Sequence, residues 1–273
     1  MPCYHAPTDL DEALGLLGPG MSVIAGGTDW YPARGRRLPE EDVLDITRVA
    51  ALRWIETKGG WTRIGAAATW AEVASADLPP AFDGLRAAAR VVGGVQIQNA
   101  GTVVGNLCNA SPAADGAPPL LTLDAEVEMA SIDGSRRMPL TEFLIGPRKT
   151  ALEPGEIVTA LQIPPQPDGA RGAFEKAGAR AYLVISIAMT ALVVRVRDGL
   201  IDHARVAVGS CGPTAVRLEA LERDMIGTRP VEVRVAAQHL EPISPIDDVR
   251  ADAAYRTEIV PHQIARTLER LYG

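Results

Sequence analysis

The sequence predicts a globular protein that mixes helices with strands and changes domain between residues 163 and 172. The chain has 273 residues, which is enough for two domains of ordinary size or for one large domain. Hydrophobic residues make up 47% and charged residues 22%, as in proteins that bury a core. The stretch IPPQPDGARG at 163–172 is dense in proline and glycine, which favours a boundary there.

The part before this boundary contains short elements of both kinds. Residues 8–17 predict a helix with Thr8 as its N-cap, because acidic residues fill its first turn and apolar residues follow at helical spacing. The segment MSVIAGGTDW predicts a short strand that ends at Gly26 and Gly27, with Thr28 and Asp29 capping a helical turn. Further strands and a helix are expected at 43–47, 61–69 and 82–93.

The middle of the chain is richer in turns. Residues 102–115, TVVGNLCNASPAAD, predict short extended pieces joined by turns, since glycine, proline and asparagine punctuate them. Asp115 is then expected to be the N-cap of a short helix whose first turn carries Pro118 and Pro119. The segment EVEMASIDGSRRMPL predicts a hairpin with its turn at Asp133 and Gly134.

Beyond the boundary, strands come first and helices follow. Residues 185–210 predict two long antiparallel strands joined at Asp198 and Gly199. The remaining chain predicts helices over 214–226, 231–240 and 247–272, the last of them broken at Pro261.

Charge and cysteine content exclude several classes of function. The net charge of −7 argues against a nucleic-acid partner, and the cluster Arg34 to Arg37 is expected to be a solvated surface turn. The three cysteines are far apart and lack metal-ligand spacing, so neither a disulfide framework nor a metal site is expected. With no targeting segment and no apolar run of membrane-spanning length, we expect a cytoplasmic chain.

Two glycine-containing loops are the candidates for binding. In VIAGGTD, glycines after a buried strand allow successive N–H groups to face one concavity, which suits phosphate oxygens, although a simple tight turn is the alternative. The second loop, with Gly101, Gly105 and Asn106, also offers an approachable backbone. No GxGxxG or GxxxxGK[ST] motif is present. Two such loops suggest a dinucleotide held from both sides.

AGGTD at 25–29 and QIQNAGTVVGNLCNASPAAD at 96–115 resemble the flavin-binding subunit of the molybdenum hydroxylases. That family includes the xanthine dehydrogenases and the aerobic carbon monoxide dehydrogenases. The resemblance continues through residues 148–158, 185–217 and 247–256, and so covers nearly the whole chain in order.

The resemblance implies an α+β fold and two domains. The first is a two-lobed FAD-binding domain of the vanillyl-alcohol-oxidase (PCMH) type, expected over residues 1–165 with lobes at about 1–57 and 58–165. The second is a small domain of a three-stranded sheet with helices, of the molybdenum hydroxylase flavoprotein type, expected over residues 171–273.

The resemblance also implies the residues that contact FAD. The first loop would wrap the pyrophosphate with Ala25, Gly26, Gly27, Thr28 and Asp29. The second loop would approach the pyrophosphate and ribityl chain from the other side with Thr102, Gly105 and Asn106, and Ser111 would lie nearby.

Two charged residues complete the expected site. Asp115 would accept hydrogen bonds from cofactor hydroxyls, and its role as a helix N-cap is an alternative or an addition. Lys149 would lie near the cofactor as a cation, although by itself it reads as a surface charge. Val104 stands where the family commonly has glycine, and Gln98 stands where it commonly has arginine, so the local geometry is expected to differ.

The implied function is that of an FAD-binding electron-transfer subunit. Molybdopterin and [2Fe-2S] clusters are expected only on partners, a large molybdenum-cofactor subunit and a small iron–sulfur subunit, with no catalytic or metal-binding residue in this chain. A self-sufficient flavin oxidase or reductase of the same fold is the alternative, and a scaffold that has lost FAD is a third possibility. The sequence specifies neither the substrate nor the electron acceptor.

Overall fold

The computed structural model describes residues 2–180 and 183–273. Its first sheet is small and parallel, in the order β1-β3-β2. The strands are β1 (Tyr4–His5), β2 (Ser22–Ile24) and β3 (Val43–Asp45). Helix α1 (Leu10–Leu16) connects β1 to β2, and α2 (Trp30–Arg34) follows β2. The N-cap of α1 is Asp9 rather than the predicted Thr8, because the Asp9 carboxylate accepts the backbone N–H of Asp11 at 2.8 Å.

The second sheet has five strands, paired antiparallel, in the order β4-β5-β10-β6-β7. Its strands are β4 (Ile55–Lys58), β5 (Trp61–Gly65), β6 (Glu126–Ser131), β7 (Gly134–Pro139) and β10 (Ile157–Ile163). The central strand β10 is buried along its whole length. Because β4 pairs with β5, the lobe limit predicted near residue 57 falls inside a strand of this sheet.

Short helices lie between residues 65 and 144 of the chain. They are α3 (Trp70–Ser75), α4 (Asp83–Val91), α5 (Val95–Ala100), α6 (Val103–Cys108), α7 (Ala117–Thr122) and α8 (Leu140–Phe143). Helices α6 and α8 contact the second sheet, whereas α4 and α7 pack mainly on the third sheet, described below. Single 3₁₀ turns lie at Ala50–Leu52 and Pro80–Phe82, and a two-stranded ribbon pairs β8 (Leu144–Gly146) with β9 (Lys149–Thr150).

The third sheet contains three long strands and a two-residue edge strand, in the order β11-β12-β13-β14. They are β11 (Arg171–Ala177), β12 (Ala188–Arg197), β13 (Leu200–Gly209) and β14 (Val216–Arg217). Helices α9 (Glu219–Met225) and α10 (Ala253–Tyr272) pack on it, with 3₁₀ turns at Pro230–Glu232 and Ala237–Leu240. This arrangement of helices and strands is an α+β fold, as the sequence predicted.

Both predicted hairpins are present. Asp198 and Gly199 join β12 to β13 with φ of 52° and 78°, the left-handed conformation that a two-residue turn of this kind requires. In the other hairpin, Ser131 pairs with Gly134, so the turn residues are Ile132 and Asp133 and the predicted turn is one residue out of register.

Four of the predictions for individual segments are wrong. Residues 102–115 are not only extended pieces, because α6 forms there with Thr102 as its N-cap. The predicted helix over 214–226 begins only at Glu219, after β14, and residues 231–240 contain two single 3₁₀ turns. Helix α10 runs unbroken through Pro261, because residues buried on both sides of the proline, Val260, Ile264 and Leu268, hold it against the sheet.

The N-terminal and C-terminal halves meet where α4 and the turn at Pro80–Phe82 pack on β11. The chain between β10 and β11 coincides with the proline- and glycine-rich stretch, while the domain limits themselves stay a prediction. Two glycines make the close approach possible. A Cβ on Gly84 would lie 2.8 Å from the carbonyl oxygen of Ala173, and a Cβ on Gly172 would overlap the carbonyl oxygen of Ala81.

We therefore expect Gly172→Ala to lower the free energy of unfolding by roughly 1–3 kcal/mol, because the added methyl group forces two backbones apart. The matched control is Gly15→Ala in α1, where a Cβ meets no atom within 4 Å. The control should be neutral or stabilising by up to about 1 kcal/mol. Denaturant unfolding of the three proteins compares these values, and equal stabilities would contradict the close contact.

Candidate functional site

A groove of about 800 Å³ runs between the small parallel sheet and the C-terminal half of the protein. Three segments line it: the loop between β2 and α2, the region from Val92 to Asp115, and the segment Leu183–Ile185. Its size lies within the range of small-molecule sites, roughly 300–1,000 Å³. Ten of the eleven predicted contact residues line this groove: Ala25, Gly26, Gly27, Thr28, Asp29, Thr102, Gly105, Asn106, Ser111 and Asp115.

The loop after β2 presents backbone donors to the groove. The N–H groups of Gly26, Gly27 and Thr28 make no hydrogen bond with any residue that the structure describes. Gly27 has a φ of 65°, and a Cβ there would lie 2.6 Å from the ring of Tyr31. Three successive N–H groups without described partners, the middle one on a residue with left-handed backbone, form the kind of concavity that binds anions.

The glycines also allow the two loops to touch each other. A Cβ on Gly26 would overlap the carbonyl oxygen of Ala100, and one on Gly101 would lie 3.0 Å from Thr28 Oγ1. The sequence argument assigned Gly26 to the approach of a ligand, whereas the structure shows that the neighbouring protein backbone already requires it. Substitution of Gly26 would therefore disturb the loop itself before any ligand binds.

The second loop is built around α6. The Thr102 side chain caps this helix by accepting the N–H of Gly105 at 2.9 Å. Asn106 lies one turn on, and its Oδ1 accepts the N–H of Gly116 at 3.2 Å, which leaves the amide nitrogen of its side chain as a donor for the groove. Ser111 Oγ accepts the N–H of Ala113 at 3.2 Å, so its hydroxyl hydrogen is likewise available.

Asp115 is buried and joins this loop to the C-terminal half. Its Oδ2 accepts a hydrogen bond from Lys176 Nζ at 2.7 Å, and its Oδ1 accepts one from Ser186 Oγ at 2.6 Å. The pKa of Asp115 is raised above its ordinary value, because the effect of burial exceeds the lowering by the charge of Lys176 and by the two hydrogen bonds. The prediction that Asp115 caps α7 is wrong, because Gly116 holds the N-cap position and no side chain caps that helix.

Lys149, the eleventh predicted contact residue, is not among the groove-lining residues and is exposed on β9. The cations at this part of the groove are Arg148, which lines it, and Lys176, which binds Asp115. Arg148 adopts a φ of 58° and donates to the side chain of Asn109.

The structure adds groove residues that the sequence analysis missed. Arg34 was expected in a solvated turn, but its guanidinium carbon lies 4.0 Å from the ring centroid of Trp30 and the side chain pairs with Glu41. Trp30 lines the groove, and its Nε1 is buried with no hydrogen-bond partner among the described residues. The position of Trp30 directly after the glycine loop was the sequence signal for its place in the groove. The sequence does not specify the direction of its ring.

The two departures from the family pattern do not obstruct the groove. The Val104 side chain is 3% exposed and packs into the hydrophobic core. Gln98 Nε2 donates to the carbonyl oxygens of Arg90 and Val92, each at 3.1 Å, and so closes the end of α4.

These groups fit a phosphate-bearing dinucleotide such as FAD. The free N–H groups of the first loop and the cations Arg34, Arg37 and Arg148 suit a pyrophosphate. The side chains of Thr102, Asn106 and Ser111 suit hydroxyl and carbonyl groups. Desolvation raises the pKa of the Cys108 thiol, which also lines the groove, to about 12, so it is a neutral thiol at physiological pH.

Two further kinds of feature are absent from the part of the chain that the structure describes. In residues 2–180 and 183–273, no three or more His, Cys, Asp or Glu side chains are grouped so that they could hold a metal ion. Within the same residues, no helix combines the length and the apolarity that crossing a membrane requires.

Comparisons with known proteins agree with this geometry. Residues 1–166 match the FAD binding domain in molybdopterin dehydrogenase, and residues 173–271 match the CO dehydrogenase flavoprotein C-terminal domain. A putative xanthine dehydrogenase FAD-binding subunit of Escherichia coli is 32% identical over 94% of this chain and 91% of its own length. The carbon monoxide dehydrogenase medium chain of Hydrogenophaga pseudoflava is 29% identical, over 97% and 95% of the two chains.

Solved structures show the same fold. A chain of carbon monoxide dehydrogenase from Hydrogenophaga pseudoflava superposes with a TM-score of 0.87 at 28% identity, over 98% of this chain and 96% of that one. The reconstituted CO dehydrogenase from Oligotropha carboxidovorans gives 0.88 at 27% identity, over 99% and 97%. The protein therefore belongs to the family of FAD-binding subunits of the molybdenum hydroxylases, the oxidoreductases of xanthine dehydrogenase and carbon monoxide dehydrogenase type.

Proposed function

We propose that this chain is the electron-transfer flavoprotein of a molybdenum hydroxylase made of several subunits. The observation that carries the proposal is the groove, in which free backbone N–H groups, cations and hydroxyl side chains lie together in a chain that belongs to this family. When bound, FAD would supply the redox chemistry, taking electrons from [2Fe-2S] clusters of a partner and yielding them to an external acceptor.

The chain's own residues would bind and orient the cofactor. The N–H groups of Gly26, Gly27 and Thr28 would donate to the pyrophosphate, and Ala25 and Asp29 would complete that loop. Opposite them, Thr102, Asn106 and Ser111 would donate to cofactor oxygens, while Gly105 lets the backbone come close. Each oxygen of Asp115 keeps a lone pair beyond its protein contact, so the carboxylate can still accept a cofactor hydroxyl.

The resemblance implies Lys149 as the lysine of the site, but another lysine has the closer contact with it. Neither Lys149 nor Lys176 is among the groove-lining residues, but Lys176 Nζ is 2.7 Å from Asp115 Oδ2 with a side chain that is 11% exposed, whereas Lys149 is exposed on β9. We propose Lys176 as the cation that fixes the charge of Asp115 beside the cofactor, and Arg148 as a cation on the groove wall. Lys149 then has the role of a surface charge.

The partners proposed for this chain are a large molybdenum-cofactor subunit and a small [2Fe-2S] subunit. The relatives named medium chain and FAD-binding subunit support an assembly in which one chain carries only the flavin. Substrate hydroxylation would then belong to the large partner. The free thiols Cys108 and Cys211 favour the reducing environment of the cytoplasm.

The first prediction of this proposal concerns the isolated chain. Loaded with FAD and incubated without oxygen with purines, aldehydes or N-heterocycles, it should keep its oxidised flavin spectrum, because the proposed site of substrate oxidation lies on another subunit. The spectrum should bleach once the molybdenum and iron–sulfur subunits are added. Chemical reduction followed by reoxidation is the control that the flavin is accessible. Bleaching of the isolated chain by any of these compounds would instead identify a self-sufficient flavin enzyme.

A second prediction concerns Asp115. The change Asp115→Asn leaves the buried Lys176 ammonium without its counter-charge, so the free energy of unfolding should fall by about 3 kcal/mol. FAD affinity should fall by roughly 5- to 100-fold if the carboxylate also accepts a cofactor hydroxyl. The control Glu56→Gln removes the 53% exposed partner of Arg63 and should change neither quantity by more than about 1 kcal/mol. If FAD titration gives the same dissociation constant for Asp115→Asn as for the unmodified chain, the role of Asp115 is only to join the two halves of the protein.

A further inference from the structure

Arg256, in the first turn of α10, is a buried cation outside the groove whose Nη1 and Nη2 both donate hydrogen bonds, while its Nε has no partner among the described residues. The residue is 3% exposed, and its Nη2 lies 2.7 Å from Asp248 Oδ1. The carboxylate of Asp248 is held in turn by Arg250, whose backbone N–H donates to Oδ1 at 2.8 Å and whose Nη1 donates to Oδ2 at 2.7 Å. The pKa of Asp248 is lowered, first by this backbone hydrogen bond and then by the charge of Arg256. The guanidinium is therefore charged, paired and fixed in direction.

The other arm of this guanidinium reaches two backbone carbonyls. Arg256 Nη1 donates to the carbonyl oxygen of Ile187 and, at 3.0 Å, to that of Ser210. These two residues lie at the start of β12 and just after the end of β13, so one side chain ties together two segments that are adjacent strands of the sheet. A planar guanidinium can satisfy this set of acceptors with fixed angles, whereas an ammonium group cannot.

Each of these two carbonyl groups lies next in sequence to a residue, or belongs to a residue, that contacts the groove-lining loop. Ser186 precedes Ile187 and donates to Asp115 Oδ1 at 2.6 Å, and Leu183–Ile185, which line the groove, come just before it. Ser210 has a φ of 60°, and its N–H donates to the carbonyl oxygen of Pro112 at 3.0 Å, beside the groove residue Ser111. Two of the places where the C-terminal half supports the second loop are thus held by Arg256, and the contact between Lys176 and Asp115 is a further one.

We propose that Arg256 is a positioning residue for the flavin site. It holds the segment Leu183–Ile187 and the turn at Ser210 in the arrangement that places Ser186 on Asp115 and Pro112 beside the groove. The inference rests on the proposed FAD site and adds to it a residue on α10 that does not line the groove. A buried ion pair contributes little net stability compared with apolar packing, so its effect is expected in the geometry of the groove.

The test is Arg256→Lys, which keeps the positive charge but removes the planar guanidinium group. The FAD dissociation constant should rise about tenfold, equivalent to ~1.4 kcal/mol. The visible circular dichroism of the bound flavin should change as well, since it reports how the cofactor is held. The matched control is Arg250→Lys, because Arg250 binds the same carboxylate from the surface with a side chain that is 36% exposed. The control should leave both readouts as in the unmodified chain.

A double-mutant cycle with Ser186→Ala separates positioning from general destabilisation. If Arg256 acts through Ser186, the two substitutions together should weaken FAD binding less than the product of their separate effects. An Arg256→Lys variant that binds FAD as tightly as the unmodified chain would overturn the inference. So would a cycle in which the effects of Arg256→Lys and Ser186→Ala on FAD binding simply multiply. If Arg256→Lys does not fold, Asp248→Asn replaces it in the cycle, with the same two outcomes. Failure of the unmodified chain to bind FAD would contradict the proposed function instead.

Discussion

The buried carboxylate of Asp115 is the contact on which the groove depends. It belongs to the loop that follows α6, and both of its partners, Lys176 and Ser186, belong to the C-terminal half of the chain. Burial raises the pKa of Asp115, and both partners act against that rise by stabilising the charged carboxylate. The wall formed by Leu183–Ile185 is consequently positioned by chain segments far away in sequence, including the one that carries Arg256.

The first loop offers mainly backbone groups to the groove, and the glycines of the protein lie where backbones approach closely or turn. Gly26 and Gly101 let the two loops touch, Gly27 turns the chain so that successive N–H groups face the groove, and Gly172 lets the halves pack closely. A site of this kind needs few distinctive side chains, because the bound cofactor would supply the chemistry and the protein its position. The family could be recognised from short glycine-containing motifs for the same reason.

The sequence predicted the features that depend on local conformation. The turn at Asp198 and Gly199 was predicted correctly because both positions require left-handed backbone, and the strand before Gly26 ends where the glycines begin. Helix α6 was missed because glycine and asparagine within it resemble turn signals, although Thr102 was there to cap it. Lys176 was missed because its significance lies in a contact with a residue 61 positions away, which no local pattern reveals.

Amide hydrogen exchange, compared between the FAD-free and the FAD-loaded chain, tests the location of the site most directly. The account predicts slower exchange on FAD binding at the N–H groups of Gly26, Gly27 and Thr28, which have no partner among the described residues, and across Leu183–Ile187. The separate cavity between the turn at Pro230 and α10 should show no change. Unchanged exchange at residues 26–28, with protection appearing at that second cavity, would contradict the assignment of the groove.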